Sequence, residues 1–60
     1  MDSLEMLDFV YDALVETMEN DQRIKRVETF EQAGILSSQV GVVVTLKTGG
    51  QYQITLVRSR

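Results

Sequence analysis

Sixty residues carry six Lys or Arg against nine Asp or Glu, giving a formal net charge of −3, and include no His, Cys, Trp or Pro. A chain of this length forms one domain, and such a domain buries only about 60% of the surface its unfolded chain exposes, so its stability is small and oligomerisation is favoured. Without Cys there is no disulfide framework, thiolate metal site or cysteine nucleophile, and without His the commonest general base and metal ligand are both missing.

A hydrophobic content of 43% with 25% charged residues describes a globular chain rather than a disordered one. The charges are unevenly placed. Asp2, Glu5, Asp8, Asp12, Glu16, Glu19 and Asp21 precede every base, after which Arg23, Lys25, Arg26, Lys47, Arg58 and Arg60 face only Glu28 and Glu31. This is −7 followed by +4, an asymmetry that points to a charged partner or to self-association. The first residues are acidic, unlike a signal peptide, and no apolar run approaches the 18 or so residues that span a bilayer. The expectation is a cytoplasmic protein without membrane contact, and the absence of Cys fits a reducing compartment.

The first element is a helix over about residues 3–19. Asp2 followed by Glu5 matches a capping box with Asp in the place of Ser or Thr, Ser3 is a rival cap, and Asn20-Asp21 is a stop. At 100° per residue the helix separates into three stripes. Leu4, Leu7, Tyr11, Leu14 and Met18, with Val15 beside them, form the core stripe. Glu5, Asp8, Asp12, Glu16 and Glu19 form a continuous acidic stripe. Met6, Val10, Ala13 and Thr17 form the third, with Phe9 between it and the acids.

The combined apolar arc exceeds what one sheet contact requires. It fits either a core wrapped further around the helix or a second interface made by Met6, Phe9, Val10 and Ala13. A two-fold dimer through that patch would also relieve the small core. The acidic stripe reads first as a solvated face; its functional alternative is a surface for basic partners, or a row of carboxylates resembling a phosphate backbone.

Residues 22–36 support two readings. Val27, Thr29 and Phe30 favour a strand near residues 25–30, which is preferred, whereas a short helix would end at Gly34. Gly34-Ile35-Leu36-Ser37-Ser38 then reads as a connection with two apolar anchors. Arg23, Lys25 and Arg26 form a basic cluster that neutralises the helix acids. In the alternative reading these three join Arg58 and Arg60 as nucleic-acid contacts, against which stand a pI near 4.6 and the lack of a recognisable binding motif.

The last elements are strands over residues 40–47 and 51–58. Val40, Val42, Val44, Leu46, Tyr52, Ile54 and Leu56 alternate with polar or smaller residues, which predicts one buried face. A three-residue loop, Thr48-Gly49-Gly50, pairs Leu46 with Tyr52, Val44 with Ile54 and Val42 with Leu56, with Gly50 left-handed in a G1 bulge. The opposite, wetter face carries Val43, Thr45, Lys47, Gln53, Thr55 and Val57 and is a solvent surface or a docking surface. The glycine pair leads into a strand, not a helix, so it is no Walker motif.

Catalytic apparatus is not legible: the hydroxyls have no His to activate them, Lys25 and Lys47 sit among polar residues, and Asp8/Asp12 offers a divalent cation too few oxygens. The expected fold is α+β, one N-terminal amphipathic helix packed on a three-stranded antiparallel meander, in a single domain spanning residues 1–60. The expected role is a small non-enzymatic protein–protein interaction module, homodimeric and bound to a further protein, needing no cofactor or metal. Its accessory or regulatory character, of the kind phage and mobile elements encode, is an association from chemical bareness alone. The alternatives are a nucleic-acid-binding module using the basic residues and an acidic nucleic-acid mimic acting through the helix.

Overall fold

The computed structural model describes residues 2–59. Helix α1 (Ser3–Asn20) is followed by strands β1 (Ile24–Thr29), β2 (Gly41–Leu46) and β3 (Gln51–Thr55). The strands form an antiparallel sheet in the order β1-β2-β3, with α1 packed against it. This is the α+β arrangement that the periodicities predict.

The start of α1 follows from its cap. The Asp2 carboxylate accepts a hydrogen bond from the Glu5 backbone N–H at 2.8 Å, satisfying one of the donors that a helix N-terminus leaves unpaired. At the other end Asp21 is extended, and the chain enters β1 within a few residues. Leu7, Val10, Tyr11, Leu14, Val15 and Met18 are the half-buried residues of α1, so the core stripe turns inward with two changes. Val10 joins it, and Leu4 does not: it stands 65% exposed at the first turn, beyond the sheet's cover.

Residues 24–35 follow the strand reading, and the alternative short helix is replaced by a turn. Strand β1 lies one residue earlier at each end than expected, and a hydrogen-bonded turn over residues 30–34 follows. Thr29 and Gln32 cap that turn reciprocally: Gln32 N–H donates to Thr29 Oγ1 at 3.2 Å, and Thr29 N–H donates to Gln32 Oε1 at 3.0 Å. It closes at Gly34, whose φ of +76° is left-handed, with Gly34 N–H bonded to the Glu31 carbonyl and Ile35 N–H to the Phe30 carbonyl. That pair of bonds is the Schellman pattern, and Phe30 and Ile35 supply its usual apolar contact positions. Ile35 is half-buried and serves as an anchor, but Leu36 is fully exposed and does not.

The hairpin departs from the expected register by two residues. Val44 faces Tyr52 and Val42 faces Ile54. The loop has the expected length but lies one residue earlier, at Lys47-Thr48-Gly49. Leu46 N–H bonds to the Gly50 carbonyl, Gly49 N–H bonds to the Leu46 carbonyl, and Gly49 rather than Gly50 carries the left-handed φ, +101°. A two-residue shift preserves side-chain parity, so the apolar set stays on one face. Apolar alternation therefore could not choose between these registers; the turn decided.

Burial corrects the expected faces more strongly. Strand β2 is central, and Gly41 through Thr45 are all buried, including Val43 and Thr45 from the supposedly wetter face. On that face Val43 lies between Glu28 and Gln53, and Thr45 between Arg26 and Gln51. Long polar side chains roof the two small ones: Arg26 Nε meets Glu28 Oε1 at 3.0 Å, and Gln51 Nε2 donates to Thr45 Oγ1 at 3.3 Å. Strand β3 does the opposite. All five of its residues are exposed, Tyr52 and Ile54 included, although their face is the apolar one. Among the described residues α1 lies against β1 and β2 but not over β3.

Candidate interaction surface

Strands sit about 4.8 Å apart and a helix with its side chains is about 10–12 Å across, so coverage depends on where the helix is centred: α1 lies mainly over β1, reaches β2 and leaves β3 bare. The short connection from Asn20 to Ile24 holds α1 on the β1 side, and Lys47 N–H bonds to the Arg23 carbonyl, tying that connection to the end of β2. The bare strip on β3 is thus a consequence of the off-centre position of α1.

Two depressions locate the flanks of α1. Met6, with Asp2 and Ser3, adjoins Thr55 through Arg58 around an open depression of ≈ 350 Å³. Leu4 and Leu7 adjoin Phe30, Ile35 and Val40 around an open groove of ≈ 430 Å³. The Met6 flank therefore faces the side of β3, and the Leu4 flank faces the turn after β1. Met6, Val10, Ala13 and Thr17 follow one another along the first flank at helical spacing. Of the expected seam residues, Met6 and Ala13 are exposed there, Val10 is shared with the core, and Phe9 stands 64% exposed further around the helix. Tyr52, Ile54 and Val57 continue the exposed apolar surface on the sheet side. Sequence reasoning missed Tyr52 and Ile54 because alternation reports which face a residue is on, and only the helix position says whether that face is covered.

The amount of exposed surface is itself unusual. A folded monomer of 6.8 kDa exposes about 4000 Å², whereas this chain exposes 4707 Å². Its Cα radius of gyration, 11.6 Å, likewise exceeds the roughly 10.4 Å of a compact chain of this length. None of the residues of α1 is fully buried, and the buried apolar core is Val27, Phe30, Val42, Val43 and Val44.

The charged candidates separate in space. Glu5, Asp8, Asp12, Glu16 and Glu19 are all exposed and lie on the side of α1 away from the Met6 flank. Arg23 is engaged by Asp21: Nη2 approaches Oδ2 at 2.6 Å, Nε donates to both carboxylate oxygens, and the Arg23 backbone N–H donates to Oδ1 at 2.9 Å. The side-chain bonds first, and the backbone bond second, hold the Asp21 pKa down at about 2, and the same contact raises that of Arg23. Arg26 is engaged by Glu28. Both partners lie outside the acidic stripe, so these pairs neutralise charge within the basic segment's own surroundings rather than on the helix acids. Arg23, Lys25 and Arg26 lie at the start of β1, beside the end of β2, whereas Arg58 follows β3 beside the start of β2, so the sheet separates them by its length. Arg60 lies outside the described residues.

Among the described residues no group of three or more His, Cys, Asp or Glu converges as a metal site would require, and no helix is long and apolar enough to cross a membrane. Comparison with protein-family models, with curated proteins and with solved structures finds no match to this chain.

Proposed function

We propose that this protein is a small non-enzymatic interaction module that works as a homodimer in an accessory or regulatory role. The observation that carries this reading is the surplus of about 700 Å² of exposed surface over a compact monomer of the same mass. That surplus is close to the roughly 800 Å² that each partner contributes to a standard interface. Its apolar part lies along the Met6 flank and β3, where a second copy would supply the missing cover. The lack of His and Cys supports a role in binding rather than chemistry.

The exposed acidic row favours one addition: with the apolar flank occupied, both copies would present Glu5, Asp8, Asp12, Glu16 and Glu19 outward to a basic partner. Sedimentation of the wild type and of Val10→Glu tests the dimer. The wild type should sediment at twice 6.8 kDa in the micromolar range and the variant at the monomer mass. A wild type that remains monomeric at high micromolar concentration refutes it. Charge reversal at Asp8 and Asp12 tests the partner surface, with the dimer expected to persist while binding of a basic polypeptide is lost.

A further inference from the structure

We propose that two copies join edge to edge through β3, antiparallel about a two-fold axis at Gln53, into one continuous six-stranded sheet. This rests on the homodimer reading and specifies its seam. The two edges of the sheet are unlike. Strand β1 is guarded: its register shifts between Ile24 and Arg26, Lys25 and Arg26 bring positive charge there, and the Thr29 N–H is already held by Gln32. Strand β3 has no guard. Gln51 to Thr55 contains no charge and no Pro, its register to β2 is regular, and every residue is exposed.

Hydrogen-bond parity and the length of the strand together select the register. The Gly50 carbonyl and the Leu56 N–H are bonded to β2, which places the backbone groups of Tyr52 and Ile54 on the inner side by alternation. The N–H and C=O groups of Gln51, Gln53 and Thr55 therefore point outward. Centring the two-fold on Gln53 pairs Gln53 with its own copy and Gln51 with Thr55 in both directions, so each outward group meets a partner. Centring on Tyr52 or Ile54 would make that residue a non-bonded central pair and match only Gln51 with Gln53, or Gln53 with Thr55, giving four bonds in place of six. Centring on Gln51 or Thr55 would leave much of the strand unpaired.

Side chains agree with that register. Tyr52 falls opposite Ile54 of the second copy, twice, in the closely spaced kind of pair where aromatic and branched residues contribute most. Both lie on the apolar face, between two helices whose Met6 flanks turn toward the seam. The acidic stripes lie on the outer sides of those helices, so assembly brings no acid row against its copy.

The chain has no cysteine, so Gln53→Cys introduces a single thiol. With the two-fold at this position, mild oxidation or a short bis-maleimide should convert this variant to covalent dimer, whereas Phe9→Cys should stay uncoupled. Gln53→Pro removes an N–H that points away from β2, so the fold should survive by circular dichroism. Its dimerisation should weaken about tenfold or more through the loss of the two central bonds. Coupling at Phe9→Cys but not at Gln53→Cys, in a chain that sediments as a dimer, overturns the strand seam and leaves the homodimer standing through the helix. A folded Gln53→Pro that dimerises normally also overturns it. If the proline variant does not fold, the coupling comparison alone decides. A wild type that is monomeric throughout overturns both proposals.

Discussion

Replacing Gly41 by Ala adds one methyl group at the most crowded of the four glycines. A Cβ built there lies 2.5 Å from Phe30 Cζ, 2.6 Å from Phe30 Cε2, and against the Ile54 carbonyl oxygen. Carbon atoms settle at about 3.5–4.0 Å, so roughly 1 Å of movement must be found. Neither neighbour gives way readily: Phe30 is a buried ring, and the Ile54 carbonyl belongs to the β3 backbone. Overpacking a core costs about 1–3 kcal/mol, and a backbone obstacle places this case at about 3 kcal/mol. A 60-residue domain has about 3–9 kcal/mol in all, so the loss is a third or more of the total.

At about 4–8 °C per kcal/mol, Gly41→Ala should melt about 12–24 °C below the wild type. Two other glycines calibrate the assay. Gly50→Ala meets only ordinary contacts, at 3.6 and 3.7 Å, and should stay within about 0.5 kcal/mol of the wild type. Gly49→Ala meets open space but inherits a φ of +101°, and should lose about 1–2 kcal/mol. Circular dichroism melts at one fixed protomer concentration give the comparison, because dimerisation makes the midpoint concentration-dependent. The expected order of damage is Gly41, then Gly49, then Gly50. A Gly41→Ala protein that melts with Gly50→Ala would refute the packing argument.

Three further outcomes follow from single residues. Val42 is fully buried, so Val42→Ala should cost about 2 kcal/mol in urea unfolding, while Leu36→Ala at a fully exposed position should be neutral; equal effects would contradict the burial pattern. Asp2→Ala should cost about 1 kcal/mol by uncapping α1, and Asp2→Asn should recover most of it, since an amide oxygen also accepts from Glu5 N–H. Asp21 has a folded-state pKa near 2 against an ordinary 3.8, so its pairing with Arg23 favours the folded state above pH 3.8 and is lost as pH falls toward 2. Carboxyl NMR titration should find its midpoint near 2 in the wild type and higher, though still below 3.8, in Arg23→Gln, which keeps the backbone bond to Asp21; an unchanged midpoint would show that the Arg23 side chain is not the cause.

The sequence by itself determined the elements and their order. Helical period and cap are local, so Ser3–Asn20 could be read from spacing and from Asp2. The alternation in β2 and β3 was equally local, and the turn motif over Thr29–Gly34 is written in Thr29, Gln32 and Gly34, although only bonds seen together distinguish it from a longer strand. The tertiary structure decided which apolar residues are covered. Tyr52 and Ile54 alternate in step with Val42 and Val44, and nothing local separates them, yet the valines are buried and the other two are exposed. The difference arises because coverage depends on where one helix of fixed width comes to rest over a three-stranded sheet. Here α1 rests against β1 and β2 and leaves β3 uncovered. Val43 and Thr45 make the converse point: they are buried by long polar neighbours on adjacent strands, whose identity follows from register rather than from the residues beside them in the chain.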